Sequence, residues 1–148
     1  MKTRLVSAAA AALLVSACAM MGDGVKGPDS AAAIAARQAA LKAIGAASAP
    51  LRSPTLDQAT ARSAGATINS QLKVFAANLP KGSGMDSGQP TKAKMEIWTG
   101  SDGFNNALNL ALTASDALAR TTADAAGIQA QARALNSACA GCHTAFRA

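Results

Sequence analysis

Histidine, cysteine and aromatic residues are scarce in this 148-residue sequence, which has one His, three Cys, one Trp, three Phe and no Tyr. So few rings leave a core of small aliphatic side chains. Burial stabilises by roughly 25 cal/mol per Å² of apolar surface, and alanine offers little of it. Such a core is thin, and a large apolar cofactor would repair the deficit. One His and three Cys also fall short of a structural zinc site, which takes about four ligands, once Cys18 is assigned to the N-terminal segment. Charge is sparse too: charged residues are 15% of the chain, with a formal net of +6 and no Lys/Arg run. Without Lys2 and Arg4 the count becomes 12 basic against 8 acidic residues, a net of +4. That excess is too mild and too scattered to argue for nucleic acid, and no such partner is expected.

Alanine supplies most of the hydrophobic half of the chain. Its high helix propensity and low strand propensity point to an all-α protein. The length allows one domain. At the N-terminus, Lys2 and Arg4 precede an apolar run from Leu5 to Val15 and then small residues, the order of an export signal. The run is too short to span a bilayer, which takes about 20 residues. Residues 1–19 therefore read as a signal with two processing routes. Val15-Ser16-Ala17-Cys18 is lipobox-like and would make Cys18 a lipid anchor, whereas Ala17-Cys18-Ala19 fits ordinary cleavage after Ala19. Residues 20–28 are Gly-rich and polar and read as a flexible tether, which leaves 29–148 as the folded domain.

Four helical stretches follow. The first opens at Asp29 as N-cap and runs to Ala49 before Pro50, with Ile34, Leu41, Ile44 and Ser48 on one face. Ser53 with Pro54 behind it is expected to start the second, whose stripe is Ile68, Leu72, Phe75 and Leu79. Residues 80–100 form a long Gly/Pro-rich connection, of a length that is usually functional. The third helix begins near Ser101 or Asp102 and carries Phe104, Leu108, Ala111, Leu112, Ser115 and Leu118. The fourth follows a break at Thr121-Thr122, with Ile128, Ala132, Leu135, Cys139, Cys142 and Phe146 along one face. This pattern predicts an antiparallel four-helix bundle.

Chemistry concentrates in Cys139-Ala140-Gly141-Cys142-His143. Two thiols three residues apart on a helix share a face and can add to both vinyl groups of one haem. The His after the second Cys then presents its imidazole to the iron. A thioredoxin-like pair would follow a strand, and none is expected here. A disulfide between two Cys of one helix fits poorly. The alternative that stays open is a haem-free helical lipoprotein with a redox-active Cys pair.

A haem motif at the end of a four-helix pattern resembles the cytochrome c′ family, together with its relatives the cytochromes c-556. The resemblance spans about residues 30–148. It rests on RQAALKAIG (37–45), AKMEIW (93–98) with Phe104, and CAGCHTAFR (139–147). It implies one haem c per chain, attached through Cys139 and Cys142, with His143 as iron ligand and Arg147 near the proximal imidazole. Arg37 and Gln38 match positions beside the haem propionates, and Glu96 a loop residue near the haem edge. Leu41 occupies the position that holds a ligating Met in cytochromes c-556 and a covering apolar residue in cytochromes c′. A hydrocarbon cannot bind iron, so the resemblance implies a five-coordinate, high-spin haem. Read from the residues alone, Arg37 is equally well a solvated helix residue, and Glu96 and Lys94 are surface side chains.

Two roles follow: carrying single electrons with a periplasmic or membrane redox partner, and binding a small neutral gas, NO or CO. No second His is present for distal acid–base work, so no enzymatic activity is expected. A homodimer through the first two helices is what the resemblance implies, and the periplasm is the expected location.

Overall fold

A computed structural model describes residues 30–148. The export segment, Cys18, the tether and the Asp29 cap lie outside the described residues. Helix α1 spans Ser30–Ser48, α2 Gln58–Ala77, α3 Glu96–Thr99, α4 Ser101–Ala119 and α5 Ala125–Phe146. Single 3-10 turns at Pro50–Arg52 and Met85–Ser87 interrupt the connections. The four long helices form the expected bundle.

The second helix starts later than Ser53. Pro50–Arg52 is a 3-10 turn, Ser53 is extended, and Asp57 is the true N-cap. Its carboxylate accepts from the Thr60 N–H at 2.8 Å and from the Thr60 hydroxyl at 2.7 Å. The delay has a packing cause. Leu51 and Leu56 are both buried in the core, and the chain carries them there through the 3-10 turn and the extended stretch that follows it. Helix α2 also stops at Ala77, so Leu79 lies beyond it. The break after α4 is as expected, with Asp124 capping α5 through the Gly127 N–H at 2.9 Å.

Helix α1 packs on α2, α2 on α4, and α4 on α5. The core runs through Ile44, Ile68, Leu72, Leu118, Ile128 and Leu135. Gly65 lets α2 and α4 approach closely: a Cβ there would lie 2.5 Å from the Ala119 nitrogen and 2.8 Å from the Ser115 oxygen. Asn69 crosses the same seam and donates to the Leu112 carbonyl at 3.0 Å and the Ser115 hydroxyl at 3.1 Å. The ring of helices does not close. Helices α1 and α5 make no substantial contact with each other, and a cavity lies between them.

Candidate functional site

The cavity is about 600 Å³, within the roughly 300–1,000 Å³ usual for ligand and cofactor sites. Helix α5 presents Cys139, Cys142 and His143 to it, and α1 presents Leu41. Leu72, Leu108 and all three phenylalanines of the chain complete apolar walls. Phe104 is the hub, with its ring centroid 5.4 Å from Phe146 edge-on and 6.3 Å from Phe75. Sequence reasoning placed Leu72, Phe75 and Leu108 in the core stripes. Their stripes do face inward, but the interior they face at this end is the cavity.

Both thiols are free and half-buried. Burial pushes each above the ordinary thiol value, and Cys142 rises further beside Cys139. They are therefore neutral thiols, unlike the low-pKa thiolates of redox-active pairs. Burial and then the Arg147 charge lower the His143 pKa. This favours the neutral imidazole, the form with a lone pair to give. Among the described residues no cluster of three or more His, Cys, Asp or Glu side chains is placed to hold a bare metal ion. Thus the donor set fits a macrocycle-borne metal: two neutral thiols, one imidazole and an apolar chamber.

The long connection forms one wall, held from two sides. On one side it pairs with the chain after α5. Ala93 and Arg147 form an antiparallel bridge, with Lys94 N donating to the Phe146 carbonyl at 3.0 Å and Ala148 N to Lys92 at 2.9 Å. The Lys94 ammonium reaches the Thr144 carbonyl at 3.4 Å, so Lys94 is only half-exposed. On the other side stands Arg37, 2% exposed, which rules out the solvated alternative. Its Nη1 donates to the Ser83 hydroxyl at 2.7 Å and, at 3.5 Å, to the Asn78 carbonyl. Its Nη2 donates to the Ser83 carbonyl at 2.5 Å and the Thr91 hydroxyl at 2.8 Å. Gln38 adds a bond from Nε2 to the Pro90 carbonyl at 2.8 Å. Trp98 donates from its indole to the Leu79 carbonyl at 3.0 Å, and its ring covers Gly84.

The structure thus brings Arg37, Gln38, Leu41, Cys139, Cys142, His143 and Arg147 to one cavity. Glu96 is not among them; it opens α3 and is exposed. Ser83 and Thr91 were missed as partners of Arg37. A serine and a threonine in a Gly/Pro-rich stretch carry no mark of a guanidinium that is 46 or 54 residues away in sequence.

A bundle with two thiols and an imidazole on its last helix, facing an apolar chamber, defines a c-type haem protein. The family model for cytochrome c′ matches residues 32–147, and the chain belongs to that family. It binds one haem c, with its iron, per chain. The cytochrome c′ from Rubrivivax gelatinosus is 27% identical with a TM-score of 0.72, the match covering 80% of this chain and 97% of that one. A mutant cytochrome c′ from Rhodopseudomonas palustris is 28% identical, with a TM-score of 0.71 and coverages of 82% and 99%. The cytochrome c prime of Shewanella frigidimarina, at 21% identity, 82% and 98% coverage and a TM-score of 0.73, shares the fold. The sequence matches no curated protein.

Proposed function

We propose that Cys139 and Cys142 hold the haem through thioethers, that His143 ligates its iron, and that Leu41 covers the opposite face. The observation that carries this reading is that these four side chains, from α5 and α1, line one apolar cavity. Cys139 and Cys142 are free, half-buried thiols, and each would hold the haem by adding its S–H across one vinyl group. When bound, the haem supplies a ferric/ferrous couple and an open coordination position. Leu41 offers no lone pair and no hydrogen-bond donor, so it favours small, neutral ligands over bulky or charged ones. Burial first, and the nearby Arg147 charge second, favour the neutral imidazole of His143. Arg37 and Gln38 fix the loop wall and bring positive and polar groups to the side where propionates would lie.

On this reading the chain carries single electrons with a periplasmic or membrane redox partner, and binds NO or CO at the open position. Cytochromes c′ are haem proteins rather than enzymes, and the lone His supports the same reading here. They are also generally periplasmic; the basic-then-apolar N-terminus supports export, with Cys18 as lipid anchor or with cleavage after Ala19. A shallow groove of alanines between α1 and α2 supports a homodimer through those helices.

The test is an absorption spectrum of oxidised and reduced protein with and without carbon monoxide, alongside Leu41→Met. A high-spin spectrum, CO binding on reduction, and a shift of the variant toward low spin are expected. A low-spin ferrous spectrum of the parent without added ligand would remove Leu41 from the iron.

A further inference from the structure

The mouth of the cavity is charged in one sign only. Lys42 on α1, Arg52 in the turn after it, Lys92 in the long connection and Arg147 just past α5 all line it and are all exposed. With buried Arg37 they make five of the eleven described basic residues. None of the six described carboxylates lines the cavity. Those acids are placed elsewhere: Asp57 and Asp124 cap helices, and Asp116 pairs with Arg120. Among the described residues, none of the four exposed rim cations forms an ion pair. The pair of propionates on a haem is too few to neutralise five cations.

We infer that this cationic mouth docks the acidic face of a redox partner protein, which exchanges its electron there. The inference rests on the cavity being the haem site. The four rim cations come from four separate stretches of chain around one opening. A small anion can touch one or two of them, whereas a broad acidic surface meets all four. Apolar walls behind the charges focus their field outward, which raises encounter rates with an oppositely charged partner. Rim charges of this kind act chiefly on association and its salt dependence.

The experiment uses reduced holoprotein whose covalent haem is first verified by absorbance retained after denaturation. It is mixed with hexacyanoferrate(III), which takes one electron from ferrous iron and becomes hexacyanoferrate(II). At low ionic strength, Lys42→Glu with Lys92→Glu is expected to slow the reaction on the order of tenfold. Arg62→Glu with Arg133→Glu makes the same change in net charge away from the cavity and is expected to slow it less than about twofold. Polyglutamate should inhibit the parent and spare the rim variant, while sulfate at matched ionic strength should slow the parent only by general screening and much less than polyglutamate does. Equal slowing of the two variants, or sulfate competing as well as polyglutamate, overturns the docking surface. A sample with no retained haem absorbance instead overturns the haem reading beneath it, so the two failures are distinct.

Discussion

Arg37 is a cation buried among neutral oxygens. Its two terminal nitrogens are bonded to two carbonyls and two hydroxyls, all in the stretch from Asn78 to Thr91, and no carboxylate shares its pocket. Burial lowers its pKa from the ordinary guanidinium value, yet a guanidinium stays charged throughout the working range. The bonds are therefore charge-assisted, and each is worth more than a neutral one. Replacing Arg37 with Met leaves the Ser83 carbonyl without its donor inside a fully buried residue. The expected loss is about 2–4 kcal/mol of unfolding free energy, read from urea melts of the holoprotein. Trypsin should also cut faster at Lys81 and Lys92 once that strap is released. An unchanged urea midpoint would mean that the loop is held from the α5 side alone.

Leu41 illustrates the same scale from the apolar side. It is 39% exposed although it sits in the predicted core stripe, because that part of α1 faces the cavity instead of another helix. Periodicity identifies the face of a helix; it does not say what the face meets.

At the scale of elements, the seam between α2 and α4 is set by one glycine. Gly65→Ala would place a methyl within van der Waals overlap of backbone atoms of α4, which cannot swing aside as a side-chain tip can. The helices must separate, at an expected cost of about 1–3 kcal/mol, measurable as a lower thermal midpoint. Full retention of the parent midpoint would contradict the close approach. The start of α2 carries a pH dependence. The Thr60 N–H and hydroxyl hold the Asp57 carboxyl below its ordinary value of 3.8, so the folded state binds its proton more weakly than the unfolded chain does. Its contribution is complete above that ordinary value and disappears as pH falls through the lowered one. Asp57→Ala should therefore melt below the parent at neutral pH, and the two midpoints should converge under acid. A constant gap between them would show that the carboxylate's charge is irrelevant to the cap.

For the whole molecule, the decisive feature is a helix ring left open between α1 and α5. A chamber of about 600 Å³ walled by Leu and Phe is large beside a core composed mainly of Ala, Leu and Ile. Left unfilled, its Leu and Phe walls stay in contact with water and forgo burial worth roughly 25 cal/mol per Å². Cys139→Ser with Cys142→Ser, which denies haem its covalent bonds, should consequently lower the thermal midpoint and broaden the transition, as followed by circular dichroism. A sharp transition at the parent temperature would mean that the helices alone sustain the chamber.

The amino-acid order by itself determined four helices, their inward faces and the haem-binding signature. These are local matters: alanine's propensity, spacings of three and four, and two thiols followed by an imidazole within five consecutive residues. It also placed the long connection, but not the 3-10 turns and short α3 within it, nor the late start of α2 at Asp57. Only the tertiary structure decided that α1 and α5 stand apart, that Arg37 turns inward to grip Ser83 and Thr91, and that basic side chains gather at one mouth. Those outcomes pair residues dozens of positions apart, and contact at that range is settled by how whole helices pack. No short window of sequence contains that information.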